Sequence, residues 1–486
     1  MQKYYVEKVK NYIGGEWHAS TTDYVAVTNP ATGDALGSVP KGSTQDVDQA
    51  VAAAKAAFPA WRDTPPAARA RFLFELRNVM VQNYDELLSI CTQEHGKTLD
   101  ESKGDVWRGI ENVETGAGIP SMLLGDAFEQ VANGIDCYAV RQPMGVFAVI
   151  APYNFPSMVP LWFLPYCIAT GNTMVVKPSE QVPFSQLRLF ELIDKIGLPK
   201  GVVNTVNGGR DVVNGILDHK DIVGVSFVGS TPVAEHVYRR CGETQKRVQA
   251  LGGAKNFTVM MDDCVWDKSV ANVIDSAFGC AGQRCLATSV VVGVGAAHGK
   301  LRELLPEACK KVKVGYGMDA GVTMGPVISA AHKERVLAYI EKGIKEGAEL
   351  LVDGRNCKVD GYPKGHFIGP TIFAKVSPSM AIANEEIFGP VLCLLEAPTL
   401  ESAIRMAKDH PYANAASIYT QNGTSARTFT RDIDASMVGV NIGVAAPMSY
   451  FTFGGNKRSF FGDLKAHGAD SIKFYTQNKT SIQRWW

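Results

Sequence analysis

What the sequence lacks narrows its function before any motif is considered. No Cys-x-x-Cys pair occurs, and the ten cysteines, at 91, 137, 167, 241, 264, 280, 285, 309, 357 and 393, show no spacing typical of a zinc site or a disulfide framework. Most are expected to be buried, reduced, small hydrophobes. Neither sign of charge is in excess, at 49 Lys and Arg against 49 Asp and Glu. That removes the electrostatic footprint of a nucleic-acid or anionic-membrane binder. No run approaches the ~18 apolar residues of a membrane span; the most apolar stretch, 158–169, is short and holds two prolines. The N-terminal "MQKYYVEKVKNYIGGEW" has no apolar core behind its lysines, so no secretory signal is expected. A cytoplasmic location is expected, with a mitochondrial matrix form as the alternative. There is no internal repeat, charge block or low-complexity tract.

What is present describes a globular chain of two or three domains, with 486 residues, 46% hydrophobic and 20% charged. The first part reads as helical: 44–61 and 65–96 carry apolar residues at helical spacing, with Pro65 and Pro66 at a helix start and Gly96 at a stop. From Met144 short β-branched runs alternate with helical segments: "GVFAVIAP", "NTMVVKPS", "GVVNTVNGG" and "IVGVSFVGST". A second alternating region starts near Phe257, with "FTVMM", "SVVVGVG", "TIFAKV", "VLCLLEA" and "ASIYT". This rhythm predicts two α/β units, each on a parallel sheet, with a boundary near Leu251. Residues 126–143 interrupt the first unit with polar alternation, and the tail 470–486 also reads as a strand. The chain ends on Trp485 and Trp486. Two exposed tryptophans are unfavourable in water, so the tail is expected to pack on something, such as another subunit.

Several strand-end motifs could carry chemistry. "KPSE" (177–180) ends a buried strand, where open α/β sheets bind ligands. Lys177 and Glu180 could hold the hydroxyls of an adenosine ribose, Glu180 disfavouring a 2′-phosphate and so favouring NAD over NADP; an ordinary solvated turn is the alternative. "FVGST" (227–231) also follows a strand, and Ser230 could cap a helix and donate to a pyrophosphate, or be a helix cap alone. In "APYNFP" (151–156), Asn154 is either a turn residue or an amide placed to stabilise an oxyanion. In "FGCAGQRC" (278–285), Arg284 precedes Cys285, and a neighbouring cation lowers a thiol pKa. Gly279, Ala281 and Gly282 would leave space for substrate and cofactor. Cys280 reads as a packing residue, and a metal or disulfide role for the pair is disfavoured.

Together "APYNFP", "KPSE", "SFVGST", "GCAGQRC", "EEIFGPV" (385–391) and "FTFGGNKRSFFGD" (451–463) resemble the NAD-dependent aldehyde dehydrogenase superfamily, and the resemblance extends to the N-terminal "NYIGGEW". It implies an aldehyde-dehydrogenase-like α/β fold of two Rossmann-like parallel-sheet domains plus a small oligomerisation arm. The implied divisions are 1–118 and 144–250 for the NAD-binding domain and 251–448 for the catalytic domain. Residues 119–143 and 463–486 would be oligomerisation segments, and 449–462 a connecting loop near the substrate tunnel. The resemblance further implies Cys285 as nucleophile, with Asn154 and the Cys285 backbone N–H as oxyanion hole. It places Ala151, Tyr153, Lys177, Glu180, Gln181, Ser230 and Gly252 against the cofactor, with Glu386 and Phe388 at the nicotinamide ribose and ring.

One departure points to a subfamily. Hydrolytic members carry a water-activating glutamate in Glu-Leu-Gly-Gly-Lys; here the stretch is "QALGGAKN" (249–256), and the glutamate position falls on Ala250 or Leu251 depending on the alignment. An acyl-enzyme with no base to activate water awaits a better nucleophile, and a thiol such as coenzyme A fits. "GAKN", "SFFGD" and "FYTQNKT" are similar to the CoA-acylating methylmalonate-semialdehyde dehydrogenases. "ALGG" departs from their pattern and leaves the local loop shape open, and Ala234 stands where a third glycine is usual, predicting slightly looser helix–sheet packing. The substrate implied is methylmalonate or malonate semialdehyde, whose carboxylate Arg108 and Arg284 would grip. A homo-oligomer, dimer or tetramer, is implied. Two alternatives stand beside this: a hydrolytic aldehyde dehydrogenase with Glu386 or Glu94 as base, and a non-enzymatic scaffold.

Overall fold

Two stretches of strand–helix alternation give two parallel sheets. The computed structural model describes residues 4–486; residues 1–3, the start of the first expected segment, lie outside it. In the first sheet five parallel strands lie in the order Val203–Thr205, Thr173–Lys177, Val146–Ile150, Ile222–Val228, Arg247–Leu251. Their valine- and isoleucine-rich interiors are buried on both faces, as parallel sheets covered by helices require. The order reverses between Val146–Ile150 and Ile222–Val228, and the crevice at such a switch point is where these sheets take ligands. An N-terminal hairpin extends one edge, and Phe460–Phe461 pairs antiparallel with Ala250 and Leu251 on the other.

The second sheet has the order Glu349–Val352, Thr371–Ala374, Val391–Ala397, Thr288–Val294, Asn256–Met260, Ala415–Tyr419, Met437–Val440, parallel except for its first pair. The chain crosses from one sheet to the other between Leu251 and Asn256. Every strand candidate quoted from the sequence contains a strand. Arg247–Leu251 is not among them because its polar Gln249 breaks the apolar run; buried, that side chain bonds Ser226 Oγ (2.8 Å).

Local signals set most helix ends. The stretch 65–96 divides into Pro66–Gln82, with Pro65 at the N-cap, and Tyr84–His95, which Gly96 ends at φ 92°. Leu99–Ala117 opens on a Thr98–Glu101 capping box and carries Arg108. Ala234 corrects the expectation of loose packing: its methyl is fully buried in the core between helix and first sheet.

The tail corrects a second expectation. Residues 470–486 are not one strand: Gly468–Tyr475 is a helix and only Thr476–Arg484 is extended. Phe474 and Tyr475 pack on Phe147 of the first sheet, and Arg247 Nη1 donates to the carbonyls of Lys473, Phe474 and Thr476 around the helix end. Tertiary packing and a C-terminal cation outweigh the local strand pattern. The strand Thr476–Arg484 then joins Ile135–Pro143 and Asp126–Ala132 in a separate three-stranded antiparallel sheet that exposes Phe128, Ile482, Trp485 and Trp486. Among the described residues no helix is long and apolar enough to cross a membrane, and no cluster of side chains could hold a metal ion.

Candidate active site

Cys285 is presented by a backbone that turns three times through left-handed space: Cys280 (φ 50°), Ala281 (φ 52°) and Gly282 (φ 72°). The Gln283 side chain locks the turn, donating to the Cys280 carbonyl (3.0 Å) and accepting from Ile328 N (3.1 Å). The Cys285 carbonyl is held by two amides, Asn256 Nδ2 (2.9 Å) and Asn414 Nδ2 (3.0 Å). The small residues serve the protein rather than a ligand, against expectation. A Cβ on Gly282 would lie 2.1 Å from the Gly389 carbonyl, one on Gly279 would strike the Arg284 guanidinium, and Ala281 is buried in the core.

Arg284 also departs from expectation. Its guanidinium turns away from Cys285, to Glu101 Oε1 (3.3 Å) and Cys280 Sγ (3.4 Å). The Cys285 thiol is not lowered; burial pushes it up to about 12, with the Glu386 charge adding to the rise and the N–H groups of Cys285 and Leu286 opposing it. All ten cysteines are free; Cys280 is buried in the wall beside Cys285, its N–H donating to Glu101.

Asn154 is buried, and its Nδ2 donates to the Gln283 carbonyl (3.0 Å). One N–H of that amide is thereby used. A fully buried Lys97 fixes the loop from behind, with Nζ 2.7 Å from the Asn154 carbonyl and 2.9 Å from Asp105 Oδ2.

On the opposite side lies the carboxyl-terminal edge of the first sheet. Lys177 Nζ meets Glu180 Oε2 at 3.0 Å, and the Ala151 N–H donates to the Lys177 carbonyl (3.0 Å). Burial raises the Glu180 carboxyl, but the Lys177 ammonium and a backbone N–H together outweigh it and the net shift is downward. Gln181 stands exposed beside the pair. Ser230 occupies the N-cap of Thr231–Glu243, yet its side chain makes no capping bond, so the capping expectation fails and the hydroxyl stays available at the helix N-terminus. Gly253 N donates to Thr231 Oγ1 (2.8 Å) and Ala254 N to Glu386 Oε1 (2.9 Å). The glycine-rich departure is explained here: a Cβ on Gly253 would lie 2.4 Å from Glu386 Oε2, and one on Gly252 would lie 2.9 Å from the Arg458 carbonyl. Burial pushes Glu386 up to about 7. Phe388 adopts φ 60° and sets its ring edge-on to Tyr153, 6.0 Å between centroids.

Toward the interior a cavity of about 470 Å³ opens beside Cys285, with Phe155, Trp162, Leu286 and Phe453 in its walls and Arg108 and Arg284 as its cations. Arg108 is paired with Glu111 (2.9 Å) and Arg284 with Glu101. The 449–462 segment reaches this cavity through Ser449 and Phe453.

The description "aldehyde dehydrogenase family" matches residues 17–481. The chain belongs to that family. It is 50% identical over 478 residues to a malonate-semialdehyde dehydrogenase 2 from Geobacillus thermodenitrificans (strain NG80-2), covering 98% of this chain and 99% of the relative. A crystal structure of a methylmalonate-semialdehyde dehydrogenase from Oceanimonas doudoroffii superposes with TM-score 0.97 at 44% identity, covering 99% of each chain. The NAD+ complex structure of an aldehyde dehydrogenase from Bacillus cereus superposes with TM-score 0.93 at 31% identity, covering 98% of this chain and 97% of that one.

The two residues that could stand at the missing glutamate, Ala250 and Leu251, lie on opposite faces of the sheet. Leu251 lies in the buried cluster of Leu286 and Phe453, against which Cys285 packs, whereas Ala250 faces the core on the other side of the sheet. The leucine is thus on the side of the sheet whose core cluster also receives Cys285. Glu94, a candidate base in the hydrolytic alternative, is buried elsewhere, accepting from the N–H groups of Phe184 (2.7 Å) and Ser185 (2.9 Å). Sequence reasoning missed Lys97, Glu101, Asn256, Asn414 and His467. The Thr98–Glu101 capping-box pattern was the one visible signal among them; the others acquire meaning only through contacts far along the chain.

Proposed function

We propose that this enzyme oxidises malonate or methylmalonate semialdehyde with NAD and passes the decarboxylated acyl group to coenzyme A. The observation that carries the proposal is that neither Ala250 nor Leu251 supplies a water-activating carboxylate, while Leu251 belongs to the buried cluster against which Cys285 packs. The pair of buried Lys177 and half-exposed Glu180 at the switch-point edge, with the unused Ser230 hydroxyl at a helix N-terminus, fits a dinucleotide. NAD supplies the hydride acceptor when bound.

The chain's own residues do the rest. Cys285, its thiol proton passing to water, adds through sulfur to the aldehyde carbon, and the Asn154 amide with the Cys285 N–H holds the oxyanion. Collapse of that adduct expels hydride and leaves a thioester on Cys285. The carboxylate next to the α-carbon departs as carbon dioxide, its bonding electrons passing into the thioester as an enolate that water protonates. The coenzyme A thiolate then displaces the Cys285 thiolate, giving acetyl-CoA or propionyl-CoA. Arg108 meets the carboxylate before it leaves, and Arg284, paired with Glu101, lines the same cavity. The exposed apolar side chains of the three-stranded sheet support a homo-oligomer.

One observation favours a second reading, hydrolysis with Glu386 as base: its charge reaches the Cys285 sulfur, and its carboxyl sits near 7. Product identification by mass spectrometry separates the two, using malonate semialdehyde and NAD with and without coenzyme A. Acetyl-CoA formation, with little free acid released in its absence, is expected. Rapid coenzyme-independent release of free acid, lost in Glu386→Gln, overturns the acyl-transfer proposal.

A further inference from the structure

The tunnel holds one polar side chain that neither the fold nor the proposed chemistry uses. His467 is 3% exposed, and both of its ring nitrogens are buried without a hydrogen-bond partner. Buried imidazoles ordinarily find partners, so a doubly orphaned one calls for a reason. His467 is among the residues that line the cavity containing Cys285 and Arg108.

The ring is held rather than loose. It stacks on Tyr166 (centroids 6.2 Å, interplanar 14°) and takes Trp162 edge-on (5.1 Å, 86°), with Phe453 as a third wall (5.7 Å). Tyr166 is itself fixed, its hydroxyl bonded to Asn112 Oδ1 (3.0 Å) and the Ser449 carbonyl (2.8 Å). The backbone contributes as well. His467 sits at φ 68°, unusual for a residue with a Cβ, at the N-cap of Gly468–Tyr475, and packing there holds it in place. Burial, followed by the nearby Arg108 charge, lowers the imidazole to about 3, so it stays neutral and keeps one donor and one acceptor nitrogen.

The charged groups of the tunnel give this arrangement a use. Arg108 and Arg284 each already hold an internal carboxylate, so a substrate anion meets cations that are partly neutralised. A neutral N–H donor has no internal acid to compete with. We infer that His467 recognises substrate: its ring N–H donates to the carboxylate of a small 3-oxo acid, beside the charge of Arg108. This rests on the semialdehyde substrate proposed above and adds a specificity-determining residue to it.

The test compares kcat/KM for malonate semialdehyde with kcat/KM for propanal, which has the same chain length but no carboxylate. His467→Phe keeps the aromatic packing and removes the donor; His467→Asn keeps a donor. The specificity ratio is expected to fall at least tenfold in His467→Phe, through KM, and to recover most of that loss in His467→Asn. Thermal unfolding and NAD binding confirm that each variant is folded, and His467→Met substitutes for the phenylalanine variant should the cage reject it. A ratio unchanged in the phenylalanine variant, or lost equally in both, overturns the inference. Wild-type enzyme with no preference for the carboxylated aldehyde overturns the substrate proposal itself, which distinguishes the two failures.

Discussion

The two sides of Cys285 are built differently. On the side proposed for the nucleotide, the groups stand at the ends of neighbouring strands of one sheet: Ala151 after Val146–Ile150, Lys177 and Glu180 at the end of Thr173–Lys177, Ser230 after Ile222–Val228. On the tunnel side, Arg108, Arg284 and His467 come from segments far apart in the chain, and the cations there are already paired. A cofactor cradle made of strand ends needs only local register. A tunnel made of helix flanks and loops needs the whole fold, and its charges need compensation until substrate arrives.

The sharpest way to break this comparison is to remove the residue at which the two sides meet. Cys285→Ala is expected to lower turnover by roughly 10⁴-fold or more while NAD still binds, because the nucleophile belongs to the chemistry and not to the cradle. Steady-state kinetics and NAD titration of the variant check it. Substantial residual turnover contradicts the assignment of Cys285, and lost NAD binding contradicts the separation of the two sides.

The same contrast governs what the sequence made legible. Strand-end motifs such as "KPSE" were legible in position because β-branched periodicity fixes where a strand stops. The Gly468–Tyr475 helix was misread as strand because its packing on Phe147 and its capping by Arg247 arise from residues hundreds of positions earlier. Arg284 was misjudged for a related reason. Adjacency in sequence placed its charge beside Cys285, but the left-handed turn at 280–282 points the guanidinium toward Glu101, on the capping-box turn of another helix. Ala250 and Leu251 could not be separated by counting; the pleat separates them, putting the leucine on the nucleophile's face.

Arg108 sharpens the comparison from the tunnel side. A charge-assisted hydrogen bond to a carboxylate contributes roughly 1.5–3 kcal/mol, equivalent to about 10- to 150-fold in binding. Arg108→Ala is therefore expected to raise KM for malonate semialdehyde by roughly 10- to 100-fold and KM for propanal by far less. Equal changes for the two aldehydes would show that Arg108 supports the tunnel wall without touching the carboxylate.

The smallest expected effect lies on the nucleotide side, at Glu386. Burial raises its carboxyl from 4.5 to about 7. It is neutral below that value and a carboxylate above it. The carboxylate is the stronger acceptor for the ribose hydroxyls Glu386 is proposed to meet, and the ionised fraction rises roughly tenfold between about pH 6 and pH 8. NAD affinity should therefore strengthen by several-fold up to about tenfold across that window, and Glu386→Gln should flatten the slope. The linkage to folding has the opposite sense. Because the folded value exceeds the unfolded one, the native state holds the extra proton between 4.5 and about 7, and that contribution to stability is lost as pH rises through the window. Measured together, affinity should rise with pH while the Glu386 contribution to stability falls. A pH slope in NAD binding that survives in Glu386→Gln would place the titrating group elsewhere and leave the cradle's polarity to Lys177 and Glu180 alone.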